Sequence, residues 1–237
     1  MSIGDWEFRL RFWTIALVFC VGFEAYAIDH VNVVARLARW LDLPPAERPL
    51  AMHVAFGAGA ALTVVAALVR TWAAAYLRSE VVHDGVVRSE RLVADGPYRH
   101  VRNPLYLGTL LLAASIGLMA SGLGWLVIVG GMALVTRRLI AREEAALLTS
   151  QGAAYRAYLD AVPRLVPSIR PRVPAGDQPA HWGQAFAGEA PMWAFASAAI
   201  VLAVTLDRKP AFQLILLSLI VYVVQWAIGQ RRAGARP

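Results

Sequence analysis

Six long apolar runs, separated by short arginine-bearing segments, restrict this chain to very few folds. The runs lie near residues 12–28, 50–77, 104–120, 122–140, 190–206 and 210–229. A hydrocarbon core about 30 Å thick takes about 20 mainly apolar residues of helix, and backbone groups in lipid must satisfy one another, so each run reads as a transmembrane helix. Composition agrees, with 58% of the 237 residues hydrophobic and 16% charged. The expected fold class is an all-α integral membrane protein of about six transmembrane helices. The third and fourth runs, joined by Ser121-Gly122, form a tight hairpin.

Basic residues orient the runs. With the N-terminus inside, seventeen arginines fall on one side, whereas Arg36, Arg39, Arg48, Arg208 and Lys209 fall on the other and Arg70 lies within a run. That bias predicts both termini in the cytosol. Lys209 is the single lysine among 23 basic residues, a skew expected of a GC-rich, bacterial genome and so of a bacterial inner membrane. Arg9 and Arg11, the apolar stretch and Ala25-Tyr26-Ala27 also have the outline of a cleavable signal peptide, against which Asp5, Glu7 and Glu24 speak. The net charge of +7 needs no nucleic acid, because arginines beside spans serve topology and anionic headgroups. Cys20, the one cysteine, allows no intramolecular disulfide and no cysteine metal site.

Two polar segments, both on the cytosolic side in this topology, flank the hairpin. In the first, Ser79 to Asn103, the Asp84-Gly85 pair between β-branched residues reads as a tight turn. The second begins at Arg142-Glu143-Glu144; Leu147, Leu148, Tyr155, Tyr158, Leu159 and Val162 then share one helical face, predicting an amphipathic helix on the membrane surface. Prolines 163, 167, 171, 174 and 179 exclude a regular helix beyond it. The organisation expected is a membrane domain over 1–167 with cofactor segments at 79–106 and 138–163, a cytosolic linker over 168–189, and a C-terminal pair of spans over 190–237.

The densest chemistry lies in Asp95-Gly96-Pro97-Tyr98-Arg99-His100-Val101-Arg102-Asn103-Pro104-Leu105-Tyr106-Leu107-Gly108. Gly96-Pro97 forces a turn, and Asn103-Pro104 starts a helix, since proline costs nothing in a first turn. Tyr98, Arg102, Asn103 and Tyr106 then gather near unpaired backbone donors, a setting that suits an anionic group. Arginines and tyrosines at a membrane boundary also anchor without any ligand, and the residues alone do not separate the two readings.

The run Gly96-Pro97-Tyr98, then Arg102-Asn103-Pro104-Leu105-Tyr106-Leu107-Gly108, resembles the signature of the isoprenylcysteine carboxyl methyltransferase and phospholipid methyltransferase superfamily, usually Arg-His-Pro-x-Tyr. Asn103 stands where the eukaryotic enzymes carry histidine. Glu143-Glu144 with Leu147, Gly152, Tyr155, Tyr158 and Val162-Pro163 resembles the second motif, so the likeness runs from about Val81 to Pro167. It implies a cytosolic pocket for S-adenosylmethionine (SAM), with His83, Glu90, Leu92, Val93, Tyr98, Arg102, Asn103, Pro104, Tyr106, Glu143 and Glu144 as cofactor contacts and no metal. It also implies an acceptor-orienting arginine, for which Arg138 and Arg142 are the candidates. His100 has no counterpart and reads as structural or interfacial.

The acceptor implied is lipophilic or lipid-anchored and reached from the membrane lipids: a carboxylate such as an isoprenylcysteine-like, fatty or isoprenoid acid, with a phospholipid amine or a small thiol as alternatives. A carboxylate is already ionised and needs orientation and desolvation, whereas an amine needs a proton acceptor. Two other classes compete: an NADPH-dependent sterol- or enone-type membrane reductase, which the Glu pair disfavours beside a 2′-phosphate, and a non-enzymatic membrane protein. Glu24, an acid within the first run, reads either as functional or as the run's outer boundary. The last two spans either wall an acceptor tunnel or pack a homodimer.

Overall fold

A computed structural model describes residues 11–77, 94–217 and 220. Helix α1 (Arg11–Glu24) runs into a 3-10 turn (Ala25–Ala27), and the short α2 (Val33–Trp40) and long α3 (Arg48–Tyr76) follow. A second 3-10 turn (Gly96–Arg99) leads into α4 (Pro104–Gly117) and α5 (Gly122–Ala161), after which come α6 (Trp182–Gly188) and α7 (Ala190–Thr205). Residues 208–217 are again helical. The described residues are all-helical apart from turns, loops and one isolated bridge between Asn32 and Ser121.

Two of these helices, α3 and α5, are long and apolar enough to cross a membrane by themselves; α6 and α7, bent by 61°, make a third crossing if they count as one broken span. Helices α1 and α4 are apolar but have 14 residues each, about 21 Å of rise. Of the six runs read from the sequence, five therefore appear as helices with the expected positions, and the sixth lies partly outside the described residues. Glu24 ends α1 and is exposed, in keeping with a boundary position.

Helix α3 packs against both α4 and α7, and α5 packs against both α4 and α1. In lipid there is little hydrophobic drive between helices, so close backbone approach has to supply the contact. Helix α3 supplies it with Gly59, Ala60, Ala66, Ala67, Ala73, Ala74 and Ala75, all buried. Thr63 and Ser115 add a polar link from α3 to α4, with hydroxyls 2.5 Å apart. Helices α1 and α5 cross so tightly that a Cβ on Gly124 would lie 2.2 Å from the Gly22 carbonyl oxygen. The C-terminal helix α7 is thus part of the bundle, with Ala198 and Leu202 in one core together with Val34, Phe56 and Ala211.

The hairpin turn differs slightly from expectation. Helix α4 stops at Gly117, residues 118–120 turn, and Ser121 caps α5 by accepting from the Gly124 amide at 3.0 Å, so Gly122 is already helical. Asn32 clamps this turn from outside. Its amide nitrogen lies 2.9 Å from the Leu118 carbonyl and 3.1 Å from that of Ala120, while its oxygen accepts from Val34 N and Ala35 N to cap α2. Tyr26 donates to the Met119 carbonyl at 2.8 Å.

Two segments show more detail than the sequence pattern carries. The helical run does not begin anew at Arg142: the membrane helix continues past it to Gly152 (φ 57°, ψ −125°, a conformation suited to glycine), where the chain kinks into a second helix that ends at Ala161. Its apolar face is buried against the chain itself: Tyr155, Tyr158 and Val162 pack with Ala94 and Val173. The linker over 168–189 is likewise a docked segment. Ser168 N donates to the His100 carbonyl, Arg172 N to that of Arg99 and His181 N to that of Ala75, and Trp182–Gly188 is helix α6, packed on α3.

Because Asn32 satisfies two turn carbonyls and two helix-start amides at once, Asn32→Ala is expected to lower unfolding stability by about 1–3 kcal/mol. Denaturation of the detergent-solubilised protein checks this, and an unchanged midpoint would contradict it.

Candidate functional site

Helix α5 carries one buried stripe at every fourth position: Gly124, Ile128, Met132, Thr136, Ile140 and Glu144. A four-residue repeat advances about 40° per step, so the stripe winds slowly round α5 and passes from one set of neighbours to the next; Ile128 and Met132 meet Ala113 of α4 together with Ile15, Val18, Phe19 and Phe23 of α1. Glu144 ends the stripe. From Gly122, about 1.5 Å per residue puts Glu143 and Glu144 about 33 Å along, near the far boundary of a hydrocarbon core.

The first polar segment arrives at the same level. Gly96 takes φ 55° against the Tyr76 ring, where a Cβ would lie 2.4 Å from ring carbons, and the 3-10 turn it opens buries Pro97 and Tyr98. The Asp95 carboxylate accepts from Gly176 N at 2.5 Å and Gln178 N at 3.3 Å. His100 Nδ1 lies 2.8 Å from the Ser168 carbonyl oxygen, the structural part expected of it. Pro104 then begins α4, and Tyr106 stands in its first turn.

Both motif halves meet here. The Tyr106 hydroxyl donates to Glu143 Oε1 at 2.6 Å, and Asn103 Nδ2 donates to Glu144 Oε1 at 3.3 Å and to the Arg164 carbonyl at 3.1 Å. Arg102 Nε is 3.1 Å from Glu144 Oε1, an ion pair without hydrogen-bond alignment, and Arg164 pairs with Oε2. Arg102 also donates through Nη1 to the Leu159 carbonyl and through its backbone amide to that of Pro163 at 2.9 Å. Tyr158 donates to the Tyr98 carbonyl at 2.8 Å.

The two glutamates are therefore differently buried. Glu144 is 6% exposed and contacted on both oxygens by groups from the α4 entrance and the loop after α5. Glu143 is half-buried and faces the Tyr106 phenol. Burial, then the neighbouring Tyr158 and Glu143, hold the Tyr98 phenol well above the usual tyrosine range, so it stays protonated at neutral pH. Asn103 gives its own helix no side-chain cap.

Tyr98, Arg102, Asn103, Pro104, Tyr106, Glu143 and Glu144 are thus brought together. Arg138 is exposed, about 120° around the helix from Glu144 at about 100° per residue, and Arg142 is half-buried. His83, Glu90, Leu92 and Val93, with the Asp84-Gly85 turn, lie outside the described residues. Sequence reasoning counted Arg164 only as a topological charge and passed over Arg70, an ionisable residue inside an apolar run. Arg70 is bound to Glu189, with Nε 2.7 Å from Oε2 and Nη2 2.9 Å from Oε1. Its position within a span was the available signal.

A family described as phospholipid methyltransferase has a sequence model that matches residues 54–151. The match opens within α3 and ends at Gln151, one residue before the α5 break, so it begins earlier and stops sooner than the Val81–Pro167 likeness. It takes in the α4 entrance and both glutamates, and bears out the resemblance. No curated protein and no solved structure matches the chain.

The burial of Glu144 has a consequence for stability. Glu144→Gln leaves the Arg102 charge, 11% exposed, without its counter-ion and is expected to destabilise the protein by about 3 kcal/mol. Thermal unfolding of the variant checks this, and an unchanged midpoint would contradict it.

Proposed function

We propose, on the premise that the stretch 54–151 belongs to the phospholipid methyltransferase family of the isoprenylcysteine carboxyl methyltransferase superfamily, that this chain transfers a methyl group from SAM to a lipophilic acceptor drawn from the membrane. The observation that carries the reading is the convergence of the two motif halves, Tyr106 on Glu143 and Asn103 on Glu144, at the membrane-boundary end of the family segment.

The residues suit the proposed ligand. SAM presents an ammonium, a sulfonium and a carboxylate. Glu143 offers a carboxylate to the cations, and the positive end of the α4 dipole, where Asn103 and Tyr106 stand, suits the anion. Glu144, saturated by Arg102, Asn103 and Arg164, holds the wall in place. When bound, SAM supplies an electrophilic methyl on sulfur; the acceptor's lone pair takes the methyl and the sulfonium leaves as the neutral thioether of S-adenosylhomocysteine. The protein's part is orientation and exclusion of water, with Tyr98 as a neutral wall of the site.

Two acceptor chemistries divide at the proton. A carboxylate acceptor loses none and needs a cation for alignment, for which Arg142 and Arg138 are the nearest candidates on α5. An amine acceptor, favoured by the family's description, releases a proton, and Glu143 beside Tyr106 is the carboxylate at hand to take it. Both readings keep the cytosol as the face that receives SAM and so place both termini there.

Calorimetric titration of the purified protein with SAM, S-adenosylhomocysteine and NADPH is the test. Binding of both adenosyl ligands is expected, and Tyr106→Phe, which removes the phenol–carboxylate bond, is expected to weaken it by about 1–3 kcal/mol, about 5- to 150-fold. Binding of NADPH without either adenosyl ligand would overturn the reading in favour of a reductase, and binding of none would leave a non-enzymatic membrane protein.

A further inference from the structure

The ion pair of Arg70 and Glu189 lies outside both motifs. Arg70 is on α3, within the family segment, while Glu189 stands at the junction of α6 and α7, 38 residues beyond the end of that segment at Gln151. Its side chain is 2% exposed and that of Arg70 20%. A pair so placed has given up water and must be held by further hydrogen bonds to be tolerable. The third guanidinium nitrogen finds them on α4: Nη1 lies 3.2 Å from the Leu105 carbonyl and 3.0 Å from Thr109 Oγ1.

The neighbouring glycine is cut to this fit. A Cβ on Gly108 would lie 2.3 Å from Arg70 Cγ, 2.9 Å from Cδ and 3.1 Å from the Ala66 carbonyl oxygen. Arg70 thus lies flat across the first two turns of α4, between Leu105 and Thr109, and Tyr106 is the residue next to its carbonyl contact. The Tyr98 phenol is within electrostatic reach of Arg70, Glu189 and Glu143 alike, so the pair adjoins the candidate site.

We propose that Arg70 and Glu189 are positioning residues for methyl transfer: the C-terminal unit, through Glu189, sets Arg70 against the first turn of α4 and so fixes Tyr106 toward the cofactor. The inference rests on the functional reading above. It gives the helices beyond the family segment a part in the site, because the anion that orients Arg70 comes from them.

The test uses the full-length protein in lipid nanodiscs and reads the SAM dissociation constant, the rate of label transfer from methyl-labelled SAM to membrane lipid extract, and the unfolding midpoint. Glu189→Gln, and independently Gly108→Ala, are expected to weaken SAM binding or slow transfer about 10- to 100-fold. Glu189→Asp, which restores the charge, recovers most of the loss, and Asn32→Ala, at the far end of the hairpin, lowers the midpoint without moving the dissociation constant. Wild-type SAM binding and transfer in both Glu189→Gln and Gly108→Ala would overturn the positioning role, as would a loss in Asn32→Ala equal to theirs. A wild-type protein that binds no adenosyl ligand would instead overturn the functional reading, and this inference with it.

Discussion

Glu144 is an anion at the end of an otherwise uncharged stripe, and the placement of the site depends on how it is neutralised. A carboxylate withdrawn from water costs several kcal/mol unless cations and donors surround it. Here they come from two distant parts of the chain: Arg102 and Asn103 before α4, and Arg164 after the end of α5. The contact fixes the α4 entrance against α5 at one height, and Tyr106 meets Glu143 as a consequence. Arg102 extends the same link by bonding to the Leu159 and Pro163 carbonyls on the far side of the Gly152 break.

At the opposite end the bundle closes by a different means. Asn32 and Tyr26 bind the hairpin carbonyls, Ser121 caps α5, and the Gly22–Gly124 crossing lets α1 approach without side chains between the backbones. Between the two ends, Thr63 with Ser115, and Arg70 with Glu189, are polar ties inside apolar surroundings. Each satisfies groups that lipid could not. The helices that begin at Trp182 belong to this scheme, since α6 and α7 both pack on α3 and Glu189 anchors Arg70.

Much of this was legible in the residues, and what escaped has physical reasons. Long apolar runs report helices directly, and the start at Pro104 follows from proline's tolerance of a first turn. The meeting of Tyr98–Tyr106 with Glu143-Glu144 was readable as a family pattern, though no periodicity brings residues 37 apart into contact. The course of α5 was misread at Arg142, because a switch from apolar to amphipathic pattern looks like a change of element when a helix simply leaves the membrane; the true break needed a positive φ, which Gly152 supplies. The proline segment looked like a linker because its partners, His100, Arg99 and Ala75, are bound through backbone groups that carry no sequence signature. Arg70 and Glu189 escaped because pairing across 119 residues is a property of packing.

A membrane-boundary site built from a first-turn phenol and a neighbouring carboxylate accounts for the family pattern and for its position on the bundle. The proposed activity leaves a chemical trace in any cell that carries it, namely an acceptor heavier by one methylene. Mass spectrometry of lipid extracts from cells expressing the wild-type chain, the Glu143→Gln variant or neither tests this most directly. The account predicts a methylated lipid present with the wild type and absent from the other two. Identical lipid profiles in all three, or an equal yield from Glu143→Gln, would contradict it.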